Sequence, residues 1–162
     1  WYEQCKTITP ETYFFDADTD FSQALVSLNW PKYFVKDYVK SLTTLRGSVA
    51  DSPEDVNEIV MQLMKYRGEV EGGICIRRFE ALQEQTEERY FVYQGKAFAR
   101  DGQIPEMVHQ IAEKINSPFF SVDIVLSDCG QSRLIELGDG QVSDKKKWRL
   151  ADFLAIFNSN SH

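Results

Sequence analysis

Two carboxylates, Asp123 and Glu136, lie in short runs of residues that are otherwise mostly apolar. The runs cover residues 119–127 and 133–137, and the Asp-Cys-Gly-Gln between them is typical of a hairpin turn. Acidic side chains in such surroundings are not ordinary charges at the edge of a sheet. Their chemistry depends on whether the hairpin brings them together.

The expected hairpin places the two carboxylates directly opposite each other. A four-residue turn over residues 128–131 pairs Val125 with Leu134. The same register then pairs Asp123 with Glu136, and side-chain alternation puts both on one face. At about 4 Å, two like charges repel by roughly 4 kcal/mol at an effective dielectric near 20. A solvated face, a protonated acid or a bound cation would each relieve that repulsion.

A metal ion is the interpretation that the surrounding residues favour. Asp139, just past the second run, is a third candidate ligand. Oxygen donors without histidine or cysteine nearby suit Mg²⁺, with Mn²⁺ as an alternative, better than zinc. The competing interpretation is that these acids line a wet sheet face and bind no ion, but the apolar flanks weaken it.

Two lysines could contact a phosphate. Lys36 and Lys40 belong to an expected strand over residues 33–40, where a period of two puts them on the face of Phe34 and Tyr38. A strand lysine can reach a phosphate as a point charge. Solvated lysines that protect an edge strand are the alternative, and this segment alone does not decide.

Adjacent arginines end the next expected strand. Arg77 and Arg78 close the run over residues 73–79, and Arg89 follows two glutamates. Arginines at a strand end suit anion binding, although surface ion pairs with nearby glutamates are equally open. The sequence contains neither the Gly-x-x-x-x-Gly-Lys-Ser/Thr loop nor the dinucleotide glycine fingerprint, so neither usual phosphate loop is available.

The elements that must position these residues mix strands and helices without the regular alternation of a parallel sheet, which predicts an α+β fold. Residues 1–30 are expected to be an irregular lead-in with one short helix near Phe21. Residues 80–88 are expected to be a polar loop, and Gln94-Gly95 a hairpin turn. Ser52 is expected to cap a helix. The apolar residues expected to face the core from the helices after Ser52, after Pro105 and at the C-terminus are Val56, Ile59, Val60, Leu63, Met64, Val108, Ile111, Ala112, Ile115, Leu150, Phe153, Leu154 and Phe157.

Composition limits the classes of function. The 162 residues suffice for one domain, and 43% of them are hydrophobic. A net charge of -7 argues against a surface that grips nucleic-acid phosphates. Three cysteines without a Cys-x-x-Cys pair fit a reducing cytoplasm, and no apolar run reaches the length of a membrane helix. Because the chain begins at Trp1, we expect it to be part of a longer protein.

Taken in chain order, these segments resemble the ATP-grasp family over roughly residues 30–157. The stretches Val-Lys-Asp-Tyr-Val-Lys-Ser and Glu-Leu-Gly-Asp-Gly-Gln-Val-Ser are most similar to the clade named for two arginines and one lysine. The resemblance implies two α+β subdomains with mainly antiparallel sheets that clasp the nucleotide, at about residues 31–76 and 77–162. Residues 1–30 would then be the remnant of a link to a missing N-terminal domain.

The resemblance also implies how ATP is held. Lys36 would contact the ATP phosphates, with Lys40 as a helper. The backbone from Arg78 to Glu80 would bond the adenine edge, and Phe79 would wall its pocket. Glu88 would hold the ribose hydroxyls.

For the metal, the resemblance implies that Asp123 and Glu136 bind the Mg²⁺ that bridges the phosphates. Many members of the family have asparagine where this chain has Gly138, so Asp139 would supply that ligand from the next position. Many also have an acidic residue at the position of Arg77.

The implied activity is that of an ATP- and Mg²⁺-dependent ligase. It would convert a small-molecule or peptide carboxylate into an acyl phosphate for attack by an amine or thiol. Lys36, Arg78 and Arg89 would be the catalytic cations, and Arg77 would help to neutralise charge. Alternatives are an ATP-binding assembly module that acts with a protein partner without turnover, an RNA-modifying protein that uses Lys145–Lys147, and an acidic domain without nucleotide.

Overall fold

The computed structural model of the chain describes residues 1–37, 48–67 and 72–158. Lys40, the expected helper at the phosphates, lies outside these ranges. The chain divides into two compact units, Pro10–Glu80 and the combination of Trp1–Thr9 with Ala81–His162. The subdomain limits implied by the resemblance stay a prediction.

Strands and helices alternate irregularly along the chain, as expected for an α+β fold. In chain order they are α1 (Tyr2–Cys5), β1 (Thr12–Phe15), α2 (Phe21–Ala24), a 3₁₀ helix (Val26–Leu28), β2 (Tyr33–Asp37), β3 (Val49–Ala50), α3 (Pro53–Arg67), β4 (Ile74–Arg78), β5 (Leu82–Tyr93), β6 (Lys96–Phe98), α4 (Glu106–Lys114), β7 (Phe119–Ser127), β8 (Ser132–Asp139) and α5 (Leu150–Asn158).

The unit Pro10–Glu80 contains an antiparallel sheet with the strand order β1-β4-β2-β3. The expected helix at Phe21 is confirmed. The rest of the expected lead-in is not irregular, because Thr12–Phe15 pairs with β4 as an edge strand. Its partner lies about sixty residues further along the chain, and the short mixed sequence gives no local sign of that pairing.

Helix α3 begins as the sequence predicts. The Asp55 N–H donates to Ser52 Oγ at 3.1 Å, and the Asp51 N–H donates back to Asp55 Oδ2 at 3.1 Å, so two helix-start donors are satisfied. The residues of the expected stripe that are buried are Val56, Ile59, Val60 and Leu63. Met64 is 41% exposed, because it lies at the edge of that stripe.

The second unit contains an antiparallel sheet with the order β6-β5-β7-β8. The Gln94-Gly95 turn is confirmed, with φ values of 49° and 76° that suit a hairpin turn of type I′. The expected loop over residues 80–88 is wrong. Strand β5 already starts at Leu82, since backbone pairing with β7 does not require apolar side chains.

Helix α5 packs inward with two of the four residues expected, because the Phe153 ring contacts Phe91 and the Phe157 ring contacts Phe119. Ile156 is 1% exposed, whereas Leu150 and Leu154 are 60% and 51% exposed. The Phe157 ring still packs on Phe119 at 5.2 Å between ring centroids. The helix is apolar on most sides, so periodicity alone does not identify its buried face.

Helix α4 buries Val108, Ile111 and Ala112 as expected, against the sheet of the second unit. Within the ranges that the structure describes, every helix is too short or too polar to cross a lipid bilayer. The α+β fold class is confirmed.

We expect Ser52→Ala to lower the free energy of unfolding by about 1 kcal/mol, because the Asp55 N–H loses its acceptor at the helix start. Urea unfolding followed by circular dichroism measures the change. Ser27→Ala is the matched control, since Ser27 is an exposed serine of the same unit. An equal effect of both changes would show that the cap does not stabilise α3.

Candidate functional site

Asp123 and Glu136 are directly opposite each other in the pairing of β7 with β8, as the sequence predicts. The rest of the predicted register is wrong by one residue, because Val125 lies opposite Arg133 and not Leu134. A β-bulge absorbs the difference just beyond Asp123, with the extra residue on β8. The bulge therefore restores the alignment of the two carboxylates.

Asp123 is held by an arginine on the neighbouring strand. Arg89 lies opposite it in β5, and its Nε and Nη2 donate to Oδ1 and Oδ2 at 2.7 and 2.6 Å. The Arg89 and Asp123 side chains are 8% and 1% exposed, so this two-bond pair is shielded from water. Burial opposes the charge on Arg89, but the hydrogen bonds and charge of Asp123 outweigh it and raise the pKa of Arg89.

A second cation reaches the same carboxylate from the loop after β8. Lys146 Nζ donates to Asp123 Oδ2 at 2.9 Å and also bonds the Glu87 carboxylate. Burial lowers the pKa of Lys146, but the bonds to Glu87 and Asp123 outweigh it and the net pKa is raised. Lys146 thus bridges two acids on β5 and β7.

The loop after β8 is fastened to Arg89 at two further points. Arg89 Nη1 donates to the Asp144 carbonyl at 2.6 Å, and the Trp148 indole donates to the Arg89 carbonyl at 2.9 Å. Trp148 is buried and packs edge-on against Phe91 at 5.3 Å between ring centroids. The sheet face that carries Glu87, Asp123 and Glu136, which we call the acidic face, is therefore enclosed on one side by residues 144–148.

Gly138 leaves space that two serine hydroxyls fill. A Cβ at this position would lie 2.7 Å from Ser143 Oγ and 2.8 Å from Ser121 Oγ. Ser143 Oγ donates to the Asp139 carbonyl at 2.7 Å. Ser121 must therefore supply the proton in its own 2.8 Å bond to Ser143. An asparagine at this position has no room in this arrangement.

Asp139 is not brought to the face of Asp123 and Glu136. It is three residues beyond Glu136 on β8, so side-chain alternation directs it to the opposite face, where it pairs with Phe120. Its Oδ1 accepts the Gln141 N–H at 2.9 Å. Among the described residues, no group of three or more histidine, cysteine, aspartate or glutamate side chains is arranged to hold a metal ion.

Two carboxylates nevertheless match the donor set of a nucleotide-bound magnesium ion. Proteins usually hold Mg²⁺ by one or two carboxylates, while phosphates and water supply the remaining oxygens. Asp123 and Glu136 are hard donors aligned across one pair of strands, and Glu136 is only half-buried. The residues fit Mg²⁺, with one oxygen of Asp123 currently bonded to Lys146.

The expected ribose ligand, Glu88, lies on the other face of β5. It pairs with Ile124 and accepts from Arg100 Nε at 3.1 Å. Alternation along the strand instead puts the side chains of Glu87 and Arg89 on the same face as Asp123. The structure therefore brings Glu87, and not the Glu88 carboxylate, to Asp123.

The unit Pro10–Glu80 brings Lys36 and Arg77 to one face of its sheet. Lys36 pairs with Cys75 and Phe34 pairs with Arg77, so the two cations are diagonal neighbours, and both are buried. Burial raises the pKa of the Cys75 thiol, and the charges of Arg77 and Lys36 oppose that effect. Arg78 is exposed, and alternation directs it to the opposite face.

Part of the backbone expected to bond adenine is engaged within the same unit. The Arg78 N–H donates to the Glu11 carbonyl at 2.8 Å, and the Phe79 N–H donates to the Lys32 carbonyl at 3.2 Å. Lys32 Nζ also lies 6.0 Å from the centroid of the half-buried Phe79 ring. Glu80 follows at the end of the unit.

Several residues of the acidic face are not among the predicted site residues, namely Glu87, Ser121, Ser143, Lys146 and Trp148. The Lys-Lys-Lys-Trp run is typical of a nucleic-acid patch or a solvated turn. Instead, Lys145 and Lys147 donate to the Trp148 and Glu87 carbonyls at 2.8 and 3.0 Å. The acceptor of Lys147 lies sixty residues away in the chain, which a single sequence does not reveal.

Residues 27–156 match a family model of the ATP-grasp domain, that of family 3 in the clade named for two arginines and one lysine. A search of curated proteins finds no match. The match includes both carboxylates of the acidic face and the cations of the other sheet.

Solved structures share this fold. Cdc123 from Schizosaccharomyces pombe superposes with a TM-score of 0.67 and 13% identity, over 100% of this chain and 90% of that chain. D-alanyl-alanine synthetase A from Vibrio cholerae superposes with a TM-score of 0.59 and 13% identity, over 100% of this chain and 58% of that chain. The ATP-grasp ligase PsnB, complexed with a precursor variant, Mg and ADP, superposes with a TM-score of 0.56 and 11% identity, over 90% of this chain and 49% of that chain. The chain thus spans about half the length of these two ligases.

We expect Gly138→Ala to lower the free energy of unfolding by about 1–3 kcal/mol, because its methyl group would collide with two hydroxyls. Urea unfolding of the single variants and of Gly138→Ala combined with Ser143→Ala checks this. The combined variant should lose less stability than the two single losses added together. Strict additivity would contradict the crowding.

The raised pKa of Lys146 predicts a loss of stability at alkaline pH. Its contribution is complete below the unfolded-state value of about 10.4 and is lost as the pH rises through the higher folded-state value. Above about pH 10.4, the wild type should lose stability with pH more steeply than Lys146→Met. Urea unfolding across this range measures the slopes, with Lys147→Met as control. Identical slopes for wild type and Lys146→Met would refute the prediction.

Proposed function

The chain belongs to the ATP-grasp domain family, in family 3 of the clade named for two arginines and one lysine, and on that premise we propose that it is an ATP- and Mg²⁺-dependent ligase. It would activate a carboxylate for attack by an amine or thiol. The observation that carries the proposal is the alignment of the buried Asp123 with Glu136 across β7 and β8.

Asp123 and Glu136 are the proposed ligands of the metal. When bound there, Mg²⁺ would neutralise charge on the ATP phosphates and polarise the phosphoryl group that is transferred. Arg89 is a positioning residue in this proposal, because its side chain is bonded to Asp123 and to the Asp144 carbonyl. It fixes the Asp123 carboxylate so that one edge can face the metal.

The cations of the other sheet are proposed to bind the nucleotide and the substrate. Lys36 and Arg77 lie on one sheet face and together form a buried positive surface that suits phosphate oxygens. The exposed Arg78 is proposed to neutralise the substrate carboxylate, and Lys40 is kept as a helper at the phosphates. These cations would contribute to catalysis by reducing the electrostatic repulsion between the ATP phosphates and the substrate carboxylate.

The adenosine part would be held at the end of the unit Pro10–Glu80. We retain the backbone of residues 78–80 and the Phe79 ring for adenine. Because two of the backbone donors there bond within the unit, the carbonyl groups are the better candidates for contact with the adenine amine. Glu88 is retained for the ribose, although its carboxylate faces away from Asp123.

The proposed reaction has two steps. Oxygen of the substrate carboxylate attacks the γ-phosphorus of ATP, the bond to ADP breaks, and an acyl phosphate forms. The amine then attacks the acyl carbon, loses a proton, and releases inorganic phosphate as the amide forms. The protein positions the reactants, neutralises charge and excludes water, which would otherwise hydrolyse the acyl phosphate.

The substrate class follows from the relatives only in outline. One of them is named as a synthetase of D-alanyl-alanine, and another is a ligase complexed with a precursor. We propose an amino acid or peptide carboxylate and an amine. The free thiols of Cys5, Cys75 and Cys129 support a reducing compartment such as the cytoplasm.

A second candidate is an ATP-binding module that acts with a protein partner without ligase turnover. The observation that favours it is the saturation of Asp123, whose two oxygens are bonded to Arg89 and Lys146. A carboxylate engaged in this way binds a metal more weakly, because those bonds must first be given up. This candidate shares the nucleotide site and differs only in chemistry.

We expect calorimetry to show ATP binding that Mg²⁺ strengthens, and we expect Glu136→Gln to reduce that strengthening about tenfold or more, because it removes a charged metal ligand. Glu113→Gln, an exposed change on α4, is the control and should bind as the wild type does. A folded wild type that binds no ATP with or without Mg²⁺ would refute the proposal.

Hydroxylamine then separates the two candidates, because it traps acyl phosphates as hydroxamates. The ligase should form hydroxamate and ADP when a panel of amino acids and short peptides supplies carboxylates. The binding module should bind ATP and form neither product.

A further inference from the structure

Lys146 holds a position on Asp123 that a metal ion would need. Resting on the function proposed above, we propose that the ammonium group of Lys146 keeps the loop after β8, residues 143–149, closed on the acidic face. A divalent metal must displace its ammonium group from Asp123, so metal binding weakens the docking of residues 143–149.

The geometry of Asp123 sets up this competition. In the contacts of the described residues, Oδ1 is bonded to Arg89 alone, whereas Oδ2 is shared between Arg89 and Lys146. Arg89 also bonds the Asp144 carbonyl and is almost fully buried, so its position is fixed. Oxygen ligation by a metal at Asp123 therefore competes first with the Lys146 ammonium.

Burial identifies Lys146 as the cation that can leave. Its side chain is 33% exposed, and its other partner, Glu87, is 34% exposed. An ammonium group at the surface regains water when it departs, so leaving costs less than it would for the buried guanidinium. Exchange of the ammonium for a divalent metal replaces a charge of one by a charge of two. The new charge would lie beside Asp123 and Glu136, whose carboxylates both act electrostatically on Arg89.

The loop would respond because Lys146 is one of its attachments. Lys146 has a φ of 47°, a left-handed conformation that a lysine adopts only at a cost in energy. The contacts of Lys146 with Glu87 and Asp123 hold it there. Once the ammonium is displaced, residues 143–149 lose this attachment and keep the bonds of Asp144 and Trp148 to Arg89 and of Lys147 to Glu87, so the segment is loosened.

Lys147 provides a matched control on the same loop. Its ammonium bonds the Glu87 carbonyl and lies 3.9 Å from Glu88. None of its described contacts is with Asp123. Removal of Lys147 changes the net charge as removal of Lys146 does but leaves the competition intact.

Calorimetric titration with Mn²⁺, with and without ATP, tests the competition. If Lys146 occupies Asp123 about nine-tenths of the time, Lys146→Gln should bind Mn²⁺ about tenfold more tightly than the wild type. Lys147→Gln should bind as the wild type does. Amide hydrogen exchange gives a second readout, in which Mn²⁺ should accelerate exchange within residues 143–149 of the wild type. Because this readout uses the wild type, it does not depend on the folding of a variant.

The outcomes separate this inference from the proposed function. Equal Mn²⁺ affinity of the wild type, Lys146→Gln and Lys147→Gln would overturn the role of Lys146 while leaving a metal site. Wild-type binding without faster exchange in residues 143–149 would overturn the loosening of the loop. No binding of Mn²⁺ by any folded form, with or without ATP, would overturn the metal site itself and the inference with it.

Discussion

The buried pair of Arg89 and Asp123 is the interaction on which the acidic face of this protein depends. Removing Asp123 would leave the buried guanidinium of Arg89 without its carboxylate, at a cost of about 3–5 kcal/mol. The pair joins β5 to β7, and the remaining donors and acceptors of Arg89 hold the Asp144 carbonyl and the Trp148 indole. Asp123 is therefore oriented by the fold before any ligand arrives, which is what a metal-binding carboxylate requires.

Much of the fold could be predicted because its signals are local. The Ser52 cap and the Gln94-Gly95 turn depend on neighbours within a few residues. The strand Thr12–Phe15 and the polar start of β5 at Leu82 could not be predicted, since distant backbone pairing creates both. In α5 periodicity was right for Phe153 and Phe157 and wrong for the exposed Leu150 and Leu154, since the apolar residues of this helix do not mark a single face.

In the candidate site, too, local features were predictable and contacts between distant residues were not. The alignment of Asp123 with Glu136 was predictable because one hairpin contains both, although a bulge was needed to achieve it. The sequence offers no sign that Arg89 pairs with Asp123 across strands or that Lys146 also bonds Asp123. Similarly, Asp139 was expected beside Glu136 because the two residues are close in the chain. Strand alternation instead puts their side chains on opposite faces of the sheet.

The two cations on Asp123 have different physical roles because of their chemistry and depth. The guanidinium of Arg89 offers a rigid fork that matches both carboxylate oxygens, and burial makes its departure costly. The ammonium of Lys146 is a compact charge on a flexible stem, bonded to one oxygen and partly in water. At the proposed metal site, a metal ion would gain most by keeping the first and replacing the second. Orientation and release of one carboxylate are thereby assigned to different residues.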